Sequence, residues 1–171
     1  MSGPTDAELA EAAARLGEAL RDRRWRLATA ESSTGGLIGH AITTNPGASD
    51  YYAGGVICYS NLAKEVGLGV PHQLIATHGA VSAEVAAAMA LGAAHRFEVE
   101  IGVSVTGIAG PDGGSAAKPT GTHFIGVARR GHPPRIEERC FSHDRDGNKA
   151  AAALAALGLA LDEVLAASPE A

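Results

Sequence analysis

A serine followed by hydroxyls and paired glycines, at the point where a strand gives way to a helix, is a place where a nucleophile and backbone donors meet. The stretch Ala30-Glu31-Ser32-Ser33-Thr34-Gly35-Gly36 fits that description. It lies between the strand-like run from Arg26 to Ala30 and the apolar periodic run Leu37, Ile38, Ala41, Ile42. Hydroxyls at a helix start accept bonds from the first unpaired amides, and glycines let an incoming group come close to those amides. The corner therefore suits an anion or a developing oxyanion. The plainer reading is that Ser33 or Thr34 only caps the helix and that Gly35 and Gly36 only permit close packing.

A nucleophilic serine needs a proton acceptor, and the turn after Val56-Ile57-Cys58-Tyr59 offers one. With Asn61 as N-cap, Lys64 falls in the first turn of a helix, where the positive end of the macrodipole disfavours an ammonium and partial burial disfavours it further. A lysine so placed serves as general base or keeps a proton for a leaving group. Tyr59, at the end of the same strand, relays or donates a proton. The alternatives are a solvated Lys64 paired with Glu65 or Glu31, and a core tyrosine with a wet hydroxyl. A third turn, Thr106 to Gly114, presents several backbone amides to an anion or carbonyl, or else is a mobile surface loop. Arg145 carries a planar fork that matches phosphate, unless it pairs with Asp144 or Asp146.

The elements that must hold these turns are legible in the pattern. Thr5-Asp6-Ala7-Glu8 reads as a capping box opening a helix to about Arg21, and Trp25 to Ala30 is the first strand. The focal corner starts a second helix, which Asn45-Pro46-Gly47 ends. Gly54-Gly55 introduces Val56 to Tyr59, a run suited to a strand covered on both faces, and Ser60 or Asn61 caps a short helix. Pro71 opens another short helix, and Ser82 caps a longer one. Val99 to Thr106 alternates strictly, Thr122 to Ala128 follows the glycine-rich loop, and Arg135 to Phe141 reads as a charged edge strand. A last helix covers about Asn148 to Ala166, and residues 168–171 are expected to fray. Helices between strands, closing with a hairpin, predict one α/β domain over residues 1–171, a three-layer α/β/α sandwich with a mixed sheet. In such sheets ligands bind beyond the carboxyl ends of the strands, so parallel neighbours would bring the three turns into one crevice.

Composition narrows the function. A 46% hydrophobic fraction with only 4% aromatic means a core of small aliphatic side chains, which suits helices lying close on a sheet. The formal charge of −5 with scattered basic residues leaves no duplex-phosphate footprint, so nucleic acid is not expected as a partner. No signal peptide or bilayer-length apolar run is visible, which predicts a cytoplasmic chain without membrane contact. Cys58 and Cys140 each sit in a strand-like run and read as reduced, buried packing residues. The seven histidines show no HxH, HExxH or Cys-His pairing, and neither a Walker lysine, GxGxxG nor GxSxG marks a strand-helix corner, so no metal or cofactor is expected.

Taken together and in order, AESSTGG, YSNLAK, GAVSAE, TGIAGPDGG with KPTGT, and FSHDR resemble the C-terminal domain of the competence/damage-inducible CinA family over roughly Thr5 to Leu165. Stand-alone members of that family are nicotinamide-nucleotide amidases. The resemblance implies metal-free hydrolysis of the carboxamide of nicotinamide mononucleotide to nicotinate mononucleotide and ammonia. On matching positions it implies Ser32 as nucleophile, Tyr59 and Lys64 as its activators, and Thr106, Gly107 and Arg145 as holders of a small-molecule nucleotide. It also implies an oligomer, with a homodimer favoured. The chain departs from the family pattern at Ser33, where cysteine is usual, at His143, where glycine is usual before Asp144, and at Lys149, commonly arginine. A catalytically silent nucleotide-binding module working with a partner, or an amidase for another small carboxamide, are the alternative functions.

Overall fold

The computed structural model describes residues 3–168, so most of the expected fraying tail lies outside the described residues. The capping box forms as the sequence predicts. Thr5 Oγ1 accepts from the Glu8 amide at 3.3 Å and the Thr5 amide donates to Glu8 Oε2 at 2.7 Å, opening α1 (Asp6–Arg23). β1 (Leu27–Glu31), α2 (Leu37–Thr43), a 3-10 turn (Ala48–Asp50) and β2 (Tyr52–Ile57) follow. Then come α3 (Asn61–Leu68), α4 (His72–His78), α5 (Ala83–Arg96), β3 (Ile101–Gly107), β4 (Thr122–Arg129), β5 (Arg135–Cys140) and α6 (Arg145–Ala166).

These strands form one mixed sheet in the order β2-β1-β3-β4-β5. β1 runs parallel to both β2 and β3, while β4 and β5 return antiparallel. The carboxyl ends of β1, β2 and β3 therefore lie at one edge, with Glu31 in register with Ile57 and Val105. Leu27, Ile101, Val103, Val105, Ile125 and Val127 pack against α1, α2 and α6. Ala28, Ala30 and Cys58 pack on the other face with α5 and the segments around Leu68 and Ile75. The α/β/α sandwich is the observed architecture. Its small side chains permit close layers: a Cβ on Gly102 would lie 2.0 Å from the Ala90 carbonyl oxygen of α5. Among the described residues no helix is long and apolar enough to cross a membrane.

Three local expectations need correction. Among the described residues β2 is an edge strand, paired with β1 alone, and it is not covered on both faces: none of its residues is fully buried and Ile57 is 60% exposed. Gly54 and Gly55 lie inside it instead of introducing it: a Cβ on Gly55 would lie 2.1 Å from Thr29 Oγ1 of the neighbouring strand. Cys58 is buried as expected, but Cys140 is exposed, since it ends β5 at the opposite edge of the sheet. The alternation in β3 also has an unexpected meaning, because the strand is buried on both faces. Its polar positions bond to backbone rather than water, Ser104 Oγ to the Ala86 carbonyl at 2.6 Å and Thr106 Oγ1 to the Ala80 carbonyl at 2.8 Å.

Candidate active site

The sheet delivers the three turns to one place. Ser32 follows β1 directly, and its amide donates to the Val105 carbonyl at 3.0 Å, so the end of β3 fixes the backbone of the serine. Ser60 rather than Asn61 caps α3, accepting from the Ala63 amide at 3.1 Å, which makes Lys64 the fourth helical residue. From there its side chain runs inward and is only 2% exposed. Lys64 Nζ lies 3.0 Å from Ser32 Oγ and 3.0 Å from the Cys58 carbonyl oxygen, and it forms no ion pair among the described residues. Burial pushes its pKa below the ordinary lysine value, with the neighbouring Cys58 opposing the shift. The alternative of a solvated surface lysine is excluded, and Glu65 meets His72 instead. A buried amine within hydrogen-bond distance of a serine hydroxyl is an arrangement that can move a proton off the serine.

Ser32 and Lys64 open into a cavity of about 270 Å³ whose walls include Ser33, Tyr59, Asn61, Thr106, Gly107 and Arg145. Two larger cavities, about 700 and 610 Å³, lie at the other end of the sheet around Arg129, Arg130 and His132. There Arg129 is paired with Glu163 and Arg130 with Glu100, and among the described residues no nucleophile stands beside a base. Tyr59 is 65% exposed at the mouth of the small cavity, and its hydroxyl accepts from Arg145 Nη2 at 3.1 Å rather than touching Ser32 or Lys64. Arg145 Nη1 donates to the Gly110 carbonyl, so the guanidinium spans from α3's approach to the glycine-rich loop and does not pair with Asp144 or Asp146. Asp144 instead caps α6, accepting from the Gly147 amide at 2.8 Å, which starts the helix about one turn earlier than expected and sets Arg145 at its first position.

The focal corner differs most from the sequence expectation. Neither Ser33 nor Thr34 caps α2, whose N-cap is Gly36 at φ 101°, after Gly35 at φ 64°, both in the left-handed region that favours glycine. The unpaired amides of the helix start are taken by Glu31. Its Oε2 accepts from Thr34 Oγ1 at 2.8 Å and from the amides of Gly36 and Ile38 at 3.0 Å each, and its Oε1 accepts from the Gly39 amide at 2.8 Å. Gly36 therefore has no amide left for an oxyanion, and Thr34, Gly35 and Gly36 do not line the cavity. The amides of Ser33 and Thr34 donate to no group among the described residues.

The hydroxyl of Ser33 is buried and has no partner among the described residues. Leaving a buried hydroxyl unpaired costs about 1–3 kcal/mol, so Ser33→Ala is expected to raise the unfolding free energy by about 1 kcal/mol with little change in turnover. Urea unfolding beside a steady-state assay checks both halves; a loss of turnover without a loss of fold would give the hydroxyl a chemical task.

Sequence reasoning passed over four residues that shape this site. Asn148 Nδ2 donates to the Ala109 carbonyl at 3.0 Å while Oδ1 accepts from the His143 amide at 3.0 Å. Lys118 Nζ donates to the carbonyls of His78 and Val81, tying the glycine-rich loop to the segment before α5. Glu31 is legible in the sequence within the focal stretch and as an alternative partner for Lys64, not as the group that binds the α2 amides. His123 lies beneath Gly107, where a Cβ would come within 2.2 Å of its Cδ2. Its Nδ1 pairs with the Gly121 carbonyl at 2.8 Å, and its Nε2 is buried without a partner among the described residues.

Burial pushes the His123 pKa down from 6.5, against the opposing bond to Gly121. The unfolded chain then binds a proton that the folded chain resists, so His123 removes stability as pH falls below 6.5. Unfolding measured from pH 7 to pH 5 is expected to show this loss in the wild type and a flatter profile in His123→Gln; parallel profiles would contradict it.

The sequence profile of the CinA C-terminal domain matches residues 9–164. A protein of Enterobacter agglomerans named nicotinamide-nucleotide amidohydrolase PncC is 42% identical over 161 residues, which is 94% of this chain and 98% of that protein. A CinA-like protein of Syntrophobacter fumaroxidans is 47% identical over 142 residues, 83% of this chain but 33% of that protein. The chain thus spans about a third of the length of such longer relatives. Among solved structures, the competence damage-inducible protein A of Klebsiella pneumoniae superimposes with a TM-score of 0.89 at 32% identity, covering 94% of this chain and 99% of that one. A competence/damage inducible protein from Agrobacterium tumefaciens gives 0.87 at 37% identity, covering 95% and 99%. With a profile match over most of its length and full-length relatives of the same fold, this chain belongs to the CinA C-terminal domain family.

Proposed function

We propose that the chain is a cytoplasmic nicotinamide-nucleotide amidohydrolase that converts nicotinamide mononucleotide to nicotinate mononucleotide and ammonia. The observation that carries the proposal is the buried Lys64 amine 3.0 Å from Ser32 Oγ at the end of a cavity. The relative named for that activity, similar over 98% of its own length, supports the choice of substrate.

In this reading the neutral Lys64 amine takes the proton of Ser32 as Oγ attacks the carboxamide carbon. The carbon-oxygen bond forms and the charge moves to the carbonyl oxygen, which the amide of Ser33, a residue of the cavity wall, stabilises. Collapse breaks the carbon-nitrogen bond, and the Lys64 ammonium returns its proton to the departing nitrogen, which leaves as ammonia. Water then attacks the ester on Ser32, Lys64 again taking and returning one proton, and the carboxylate product departs. Thr106, Gly107 and Arg145 hold the nucleotide. A phosphate at Arg145 competes with the Tyr59 hydroxyl for Nη2. The exposed apolar side chains of Ile57, Leu62 and Val66 support the reading of a homodimer.

The test is ammonia release by the purified chain from nicotinamide mononucleotide, with nicotinamide and nicotinamide riboside as comparators. The proposal expects efficient release from the nucleotide alone. Binding of the nucleotide without release would favour a silent binding module, and faster release from another carboxamide would reassign the substrate.

A further inference from the structure

We infer that Glu31 is a positioning residue for the nucleophile, holding both members of the Ser32–Lys64 pair from one place; the inference rests on reading Ser32 as the nucleophile. Glu31 is 2% exposed, at the last position of β1 and immediately before Ser32. A buried carboxylate there demands partners, and its four partners are Thr34 Oγ1 and the amides of Gly36, Ile38 and Gly39. Three of those are backbone groups, so the side chain fixes the path of the chain from Ser32 into α2 and not just one rotamer. Its main chain reaches the other half of the pair. The Glu31 carbonyl accepts from the Cys58 amide at 2.8 Å, and the Cys58 carbonyl accepts from Lys64 Nζ.

The chain thereby fills the start of α2 with its own anion. A substrate phosphate or oxyanion is met instead by groups on the cavity side of the corner. Two glycines at positive φ make the turn from 32 to 36 pliable, and the convergence on Glu31 removes that freedom. Since reacting atoms displaced by about 1 Å lose on the order of 100-fold in rate, loosening this corner reads out at Ser32 rather than in nucleotide binding.

Glu31→Gln keeps the shape but places an amide NH2 against a donor, since both oxygens of the carboxylate are accepting. The experiment measures the rate of Ser32 labelling by a serine-directed sulfonyl fluoride, read by peptide mass spectrometry, beside kcat and KM for nicotinamide mononucleotide. Wild type, Glu31→Gln and Thr34→Val are compared, each rate taken per folded molecule. The expected result is labelling and kcat about 30-fold slower in Glu31→Gln, with KM changed by less than about threefold. Thr34→Val, which deletes one of the four donors, moves the same way by about threefold and carries the test alone if Glu31→Gln does not fold. A residue that only supported the fold would lower the melting temperature and leave the labelling rate per folded molecule unchanged; that result in the folded variants overturns the inference. A wild type that turns over carboxamide or labels at Ser32, with variants equal to it, sinks this inference alone. A wild type unreactive at Ser32 sinks the nucleophile reading and this inference with it.

Discussion

Lys64→Met is expected to lower turnover by about three orders of magnitude or more while making the folded state more stable. The two effects have one cause. A lysine 2% exposed, with no ion pair among the described residues, has an ammonium form that burial disfavours, which helps a base for Ser32 and costs the interior stability. Methionine fills similar volume and removes the penalty for burying the ammonium form, on the order of a few kcal/mol per ion. Against that stands the loss of the bonds to the Cys58 carbonyl and the Ser32 hydroxyl, worth about 1 kcal/mol each. A net gain of about 1 kcal/mol is the expected balance. The sign of the pH dependence follows from the lowered pKa. The unfolded chain binds the Lys64 proton more tightly, so the wild type gains stability as pH rises from the folded-state value towards the ordinary 10.5, and its deficit against the methionine variant narrows there. In activity, kcat/KM should rise along a basic limb whose midpoint lies below 10.5. Urea unfolding at pH 7 and pH 10, with an ammonia assay on the same samples, reads all of this. An active Lys64→Met would remove the lysine from the chemistry.

Ser32→Ala is expected to cost about four orders of magnitude or more in kcat while leaving nucleotide affinity within a few-fold of the wild type. The asymmetry follows from where the groups sit. Oγ of Ser32 faces Lys64, whereas Tyr59, Arg145 and the glycine-rich loop ring the mouth. Ser33 offers no substitute, because its hydroxyl is buried and unpartnered and contacts neither Lys64 nor any other polar group among the described residues. Stability should change by about 1 kcal/mol or less, since one hydrogen bond from a buried amine is lost and the cavity admits water in its place. Isothermal titration with nicotinamide mononucleotide, beside steady-state kinetics, separates the two quantities. A large loss of affinity with the alanine variant would mean that the hydroxyl binds rather than reacts.

The sandwich and the crevice were legible because the signals behind them are local and repeated. Three strands ending in capped or glycine-rich turns require only that β1, β2 and β3 be parallel neighbours, and they are. The pairing of Ser32 with Lys64 followed from the same placement. What the sequence hid were cases where tertiary partners displaced local preferences. Ser33 and Thr34 look like caps, yet a carboxylate from the preceding strand reaches the α2 amides first, and no periodicity announces that. Val56 to Tyr59 is apolar enough for a central strand, but strand order is a global property and placed β2 at an edge. Arg145 was readable either as a phosphate fork or as a partner of Asp144 or Asp146; Asp144 is occupied as a cap, and the guanidinium turns to Gly110 and Tyr59. The polar positions of β3 were readable as strand but not as anchors for backbone carbonyls across a closely packed layer.

The central claim is that Ser32 becomes covalently bonded to the acyl group, and rapid-quench mass spectrometry addresses it most directly. Wild-type protein is mixed with nicotinamide mononucleotide, stopped in acid across the first turnover, digested, and the peptide containing Ser32 is weighed; hydroxylamine in a parallel reaction captures the acyl group as a hydroxamate. A transient ester on Ser32 and a hydroxamate product are expected in the wild type, and neither in Ser32→Ala. Ammonia release by Ser32→Ala at the wild-type rate, with no ester on the wild-type peptide, would contradict the central claim.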